Sequence, residues 1–174
     1  MSKTKLVLFS FFMLVLFSAN IFSQDQWQPP KPLEVKAYDA LVGEWEGVND
    51  MQGTKFNQHA KVYWTLNKQF LVMDVSSVAV DNPQMKYNGM GYFTVDKEGK
   101  VKSWWFDDWG AEMTMSGTGE ITDTKFTSNS TSAYGKDNRT FEVNGNELTM
   151  IGIMTWTENG KEMKMEDKTV FKKK

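Results

Sequence analysis

The feature that most constrains this chain is a ruler of turns. Beyond residue 43, turn-forming clusters recur at Asn49–Gly53, Asn67–Lys68, Asp81–Gln84, Asp96–Gly99, Asp108–Gly110, Thr122–Thr124, Tyr134–Asn138, Asn144–Asn146 and Glu158–Gly160. Nine clusters mark off ten short segments whose hydrophobic period is close to two. Asn144-Gly145 and Asn159-Gly160 predict type I′ hairpins, because both central positions of that turn want positive φ. Pro83, the only proline after residue 32, falls inside a turn, where its missing N–H costs no ladder bond. Sequential hairpins at a spacing of about 8–14 residues predict an all-β fold. The expected form is an antiparallel up-and-down barrel of about ten strands that closes on itself and so buries its edges. A repeated-blade architecture would require self-similarity that the sequence lacks.

Alternation assigns faces to the strands. In the second, Phe56, Gln58, Ala60, Val62 and Trp64 share one side, and Lys55, Asn57, His59, Lys61 and Tyr63 the other. The ninth groups Leu148, Met150, Gly152, Met154 and Trp156, and the tenth groups Met163, Met165, Asp167, Thr169 and Phe171. In the third, Asp74 and Ser76 are assigned to the inward side with Phe70, Val72, Val78 and Val80. Met113 and Met115 fall on the apolar face of the sixth. Ahead of the strands, Leu33, Ala37, Tyr38 and Leu41 recur at helical spacing and stop at Gly43, which predicts one short N-terminal helix.

Three segments organise the chain. Residues 1–23 read as a signal peptide: Lys3 and Lys5 precede an apolar run from Leu6 to Ala19, and Ser23 offers a small residue before a cleavage point. The run is shorter than the roughly 20 apolar residues a membrane span needs, so no stable anchor is expected after cleavage. The expected location is secreted or periplasmic. Residues 24–32 form a tether in which Pro29, Pro30 and Pro32 favour extended geometry. Residues 33–174 are the β-barrel domain.

Composition removes several function classes. The 174 residues include 20 basic and 22 acidic side chains, and loss of the leader takes away two lysines and no acid. No clustered-basic footprint for nucleic acid exists. Zero cysteine excludes disulfides, thiol nucleophiles, Cys-ligated zinc and a lipid-modified N-terminal cysteine. One histidine excludes a multi-histidine metal site within one chain, so neither metal nor cofactor is expected. The Gly89–Gly91 pair lies inside a strand with no helix behind it, which is not a phosphate loop.

Gly43-Glu44-Trp45-Glu46-Gly47 opens the first strand straight after the helix. It resembles the Gly-x-Trp of calycins, the lipocalin-like superfamily, in which the indole closes one barrel end. Further motifs are Asn67-Lys68-Gln69-Phe70-Leu71, Gly89-Met90-Gly91-Tyr92-Phe93, Trp104-Trp105-Phe106-Asp107 and Ser116-Gly117-Thr118-Gly119. Their order resembles a bacterial family of secreted lipocalin-like domains of unknown function over residues 33–120. The resemblance implies a fold and no activity. A more distant similarity is to nitrobindin-type barrels, which bind haem through a histidine near the C-terminus. Residues 147–174 hold no histidine here, and His59 lies on the wet side of its strand, so haem ligation is not implied.

The inward register is rich in methionine and tryptophan. Trp45, Trp64, Trp105, Met150, Met154 and Met165 are the candidate lining of a ligand cavity, because a Met-rich wall adapts to irregular apolar shapes. Asp74, Asp107 and Arg139 are the candidate polar anchors, with Arg139 expected to pair with Asp107 or Asp167. Inward glycines at 47, 89, 91, 117, 119 and 152 leave space for a ligand or for neighbouring rings. These features point to an exported protein binding a small apolar or amphipathic molecule inside its barrel. Two other classes remain open: a packed barrel acting as an envelope interaction module, and a carboxylate-dependent isomerase or hydrolase. Catalysis has the weakest support, since no spacing forces two carboxylates together. The sequence says nothing about oligomeric state.

Overall fold

A computed structural model describes residues 28–174; the leader and the first four residues of the tether lie outside the described residues. Pro32–Lys174 forms one unit. Helix α1 (Lys36–Leu41) is followed by β1 (Gly43–Met51), β2 (Thr54–Thr65), β3 (Phe70–Ala79), β4 (Lys86–Val95) and β5 (Val101–Asp107). Then come β6 (Met115–Gly119), β7 (Lys125–Thr131), β8 (Gly135–Asn144), β9 (Glu147–Glu158) and β10 (Lys161–Lys173). Each strand pairs antiparallel with the next, and β10 pairs with β1 to close a ten-stranded up-and-down barrel. Closure leaves no open edge.

Hairpin chemistry follows the sequence at one end and departs from it at the other. Asn159 and Gly160 both take positive φ, as a type I′ turn requires. The Gln52-Gly53 turn does the same. Asn144 instead stays in β8 opposite Glu147, and the loop is Gly145-Asn146 with positive φ at Gly145 alone. The core explains the shift: Val143 and Leu148 are partners and both buried, and a one-residue slip would turn them outward.

Alternation places β2, β8, β9 and β10 as expected, but β3 is reversed. Leu71, Met73, Val75, Ser77 and Ala79 are buried inside, whereas Asp74 and Ser76 face solvent. Phe70-Leu71-Val72-Met73 is apolar on both faces, so its period carries no direction. Val72 is buried although it points outward, in register between Tyr63 and Tyr92. Two other corrections concern strand ends. Met113 lies in a short 3-10 turn (Ala111–Met113) rather than in β6. Gly135–Asn138, expected as turn, belongs to β8.

One end of the barrel is closed and apolar. Helix α1 starts three residues later than its pattern, because no Ser, Thr, Asp or Asn stands at 33–35 to cap it and its N-cap, Val35, is extended. Its buried face, Ala37, Tyr38 and Leu41, lies over Trp45, Phe93, Phe126, Phe141, Leu148 and Phe171. Tyr38 meets Phe126 edge to face at 5.1 Å, and Phe126 stacks on Phe141 at 4.4 Å. Among the described residues no helix is long and apolar enough to cross a membrane.

Candidate functional site

The other end of the barrel, where the β1–β2, β3–β4, β5–β6, β7–β8 and β9–β10 connections lie, has a different interior. Here the strands turn polar side chains inward and form a belt. Its centre is Arg139, carried inward on β8 between Asp137 and Phe141. The guanidinium donates to Asp137 through Nε (3.0 Å) and Nη2 (3.3 Å), and to Asp167 of β10 through Nη1 (3.0 Å) and Nη2 (3.1 Å). Burial works against the guanidinium charge, but the two carboxylates and their hydrogen bonds outweigh it and hold its pKa above the ordinary value. Gly152 of β9 makes the cluster possible. A Cβ there would stand 2.6 Å from Arg139 Nη2 and 2.8 Å from Asp167 Oδ2.

Across the belt, Trp105 Nε1 donates to Tyr87 Oη at 2.8 Å, and Tyr87 donates in turn to Asp107 Oδ2 at 3.3 Å. Burial pushes the Tyr87 phenol well above its ordinary pKa, so it serves as a donor at neutral pH. The Trp105 ring occupies the space that Gly89 leaves, where a Cβ would stand 2.3 Å from it, and a Cβ at Gly91 would run into the Phe93 ring at 2.7 Å. Asp107 Oδ1 accepts from Trp109 N at 3.1 Å, which fixes the start of the β5–β6 connection. Ser103, Ser128 and Ser130 share protons at 2.7 and 2.8 Å, and Thr169 donates to Gln58 at 3.1 Å. Asn49 Oδ1 and Ser77 Oγ, 2% and 3% exposed as residues, are buried with no hydrogen-bond partner among the described residues. Nearer the mouth Met154, Trp156 and Met165 are half-buried and Met163 is exposed.

The residues picked out from sequence divide between the two ends. Trp45 closes the helix end: it is fully buried, donates to Leu41 O at 2.7 Å and carries Lys173 Nζ over its ring at 5.1 Å. Trp64 is also at that end, bonded to Asp39 Oδ1 at 2.8 Å, with Tyr38 at 5.7 Å. Met150 is buried in the apolar core. Trp105, Asp107, Arg139, Met154 and Met165 share the polar half. Asp74 is the correction: it faces outward opposite Lys61 and Met90 and meets none of the others. Arg139 pairs with Asp167 as expected, but its second partner is Asp137 and not Asp107. Asp137 was hidden by the turn-like composition of Tyr134–Asn138. Its alternation with Arg139, Phe141 and Val143 is the signal that finds it. Ser128 and Ser130 were missed because Thr127–Ser132 is polar on both faces.

Among the described residues no group of three or more His, Cys, Asp or Glu stands together as metal ligands would. Asp137 and Asp167 converge on the guanidinium between them rather than on each other, so the arrangement is that of a bound cation and not of an acid–base pair.

No family model matches the chain, and no curated protein matches it. Solved structures do. Rv2717c from M. tuberculosis superposes with a TM-score of 0.63 at 17% identity, covering 79% of this chain and 95% of its own. The S-type phycobiliprotein lyase CPES from Guillardia theta gives 0.60 at 9% identity, covering 79% of this chain and 90% of its own. The chain shares with them the fold of a closed antiparallel β-barrel. At these identities the likeness is one of fold.

Proposed function

We propose that this chain is an exported binding protein that holds a small amphipathic molecule in the polar half of its barrel. The observation that carries the reading is the pair Asn49 Oδ1 and Ser77 Oγ, buried on the inward face with no partner among the described residues. A buried polar atom left unpaired costs about 1–3 kcal/mol, and most native structures avoid it. A bound molecule that reached the belt would remove that cost. The half-buried Met154, Met165 and Trp156 offer its apolar part an adaptable wall. Export rests on the leader-like residues 1–23, and secretion or periplasmic residence follows from it.

The test is native mass spectrometry of the chain purified from its exporting host. An adduct of a few hundred daltons, lost on denaturation, is expected. Met154→Trp should abolish that adduct with a modest loss of stability, and an adduct that survives the substitution places the ligand elsewhere. A second reading, an interaction module, is favoured by one observation. The outer face of β3–β5 carries an aromatic row in which Phe70 meets Trp104 at 6.1 Å and Tyr92 meets Phe106 at 6.0 Å. A clean apo mass together with a co-purifying protein would support it.

A further inference from the structure

The polar half of the barrel is not neutral, and its charge restricts what it can take. Its buried and half-buried inward charges are Asp107, Asp137, Asp167 and Arg139, three acids against one base, while Glu158 and Lys161, at the exposed strand ends in the same register, are cross-strand partners and offset each other. Among the described residues Arg139 is the only cation drawn into this half of the barrel, and its fork is already engaged by both neighbouring carboxylates. Asp107 is in the opposite position. Its described partners are neutral donors, Tyr87 Oη and Trp109 N, and no ion pair among the described residues includes it. It stands at the last inward position of β5, half-buried, next to the mouth.

The rim has the same sign. The connections at this end (residues 52–53, 80–85, 108–114, 132–134 and 159–160) carry Asp81, Asp108 and Glu112, and no lysine or arginine. At the helix end, lysines 68, 97 and 100 lie among the acids of the corresponding connections. A low-dielectric mouth lined with one sign of charge concentrates counter-ions of the other. The polar belt adds a second requirement. Asn49 Oδ1 is an unpaired acceptor, and Ser77, in register with Tyr87, can also accept.

We infer that the ligand is a cationic amphiphile whose head donates N–H bonds, anchored at Asp107, with its apolar part against Met154, Met165 and Trp156. This rests on the carrier reading above and narrows it. A carboxylate or sulfate head would have to displace an aspartate from Arg139 or sit unpaired among three acids. A neutral head would leave Asp107 without a charge partner.

The test uses three probes with the same tail, decylamine, decanol and decanoate, titrated into the purified chain at low salt and read by tryptophan fluorescence. Decylamine, protonated at neutral pH, should bind most tightly and decanoate most weakly, with at least about a tenfold gap, since charge-assisted bonds are about twice as strong as neutral ones. Asp107→Asn should bring decylamine close to decanol and leave decanol unchanged. Tyr87→Phe, which removes a donor to Asp107, should retain the amine preference. Glu158→Gln, at the exposed end of β9, should leave the order as it is. Added salt should narrow the gap. Decanoate binding as well as decylamine, or an amine preference untouched by Asp107→Asn, overturns the inference and leaves the carrier reading standing. Failure of all three probes to bind overturns the carrier reading, and the inference with it.

Discussion

Arg139→Met isolates the energetics of the belt. The substitution keeps a flexible side chain of similar reach and removes the four bonds, at 3.0 to 3.3 Å, that compensate Asp137 and Asp167. Both aspartates are buried, so the variant strands two carboxylates in a low-dielectric interior. Breaking a buried pair from one side costs about 3–5 kcal/mol. For a chain of this length that corresponds to a fall in Tm of roughly 6–20 °C, at about 2–4 °C per kcal/mol. The pH dependence has a definite sign. In the variant, burial and mutual repulsion penalise the charged form of both stranded carboxylates, and protonation relieves that penalty. The penalty therefore shrinks in acid, where the carboxylates take up protons, and grows toward neutral pH, where they are charged. Urea unfolding followed by tryptophan fluorescence at pH 7 and at pH 4 should show the deficit shrinking at the lower pH. A deficit below about 1 kcal/mol at pH 7, or an equal deficit at both pH values, would refute the assignment of Arg139 as the compensating charge.

Three further outcomes follow from the geometry. Trp45→Phe removes the bond to Leu41 O and the ring under Lys173, and should cost about 1–3 kcal/mol in urea titration. Leu66→Gly should stabilise the β2–β3 connection by roughly 0.5–1 kcal/mol in the same titration, because Leu66, Asn67 and Lys68 are three consecutive non-glycine residues at positive φ. Burial holds Tyr38 and Tyr87 above the ordinary tyrosine value, so the stability they carry is complete below about pH 10 and is lost as the pH rises beyond it; tyrosinate absorbance from these two rings should therefore rise together with loss of near-UV circular dichroism.

The ten strands were legible because nine interruptions of turn chemistry divide the chain after residue 43, and because most strands have one wet face. β2 and β10 alternate lysines with apolar groups, so their inward sides could be assigned residue by residue. β3 could not, since its first four residues are apolar and the aromatic row outside the barrel buries Val72 as fully as the interior buries Met73. Asp74 was misplaced for that reason. The site was only partly legible. Arg139 and Asp167 were found through their spacing from Phe141 and Phe171. Asp137 was concealed because Gly, Lys, Asp and Asn make a turn and a strand start with the same residues. The pairing of Tyr87 with Asp107 joins residues 20 apart through a register that no local pattern encodes.

The two ends of the barrel answer different demands. The helix end does what a cysteine-free chain must do, packing Trp45, Phe93, Phe126, Phe141 and Phe171 under α1 so that stability comes from burial. The other end forgoes that gain. Replacing a buried ion cluster by apolar groups of similar volume is commonly neutral or stabilising by about 1–4 kcal/mol. A barrel selected for stability alone would therefore be served as well by leucine and methionine at 137, 139 and 167. Arg139→Met combined with Asp137→Leu and Asp167→Leu should regain most of what Arg139→Met loses, and the same urea titration reads the recovery. A variant that is as stable as the parent and, with Asp107 still in place, keeps a weakened preference for decylamine would separate the two roles, stability belonging to the helix end and selectivity to the belt. If the triple variant instead remains as unstable as Arg139→Met, the cluster is needed to hold β8, β9 and β10 together, and the charge of the belt is then a consequence of the fold rather than a device for binding.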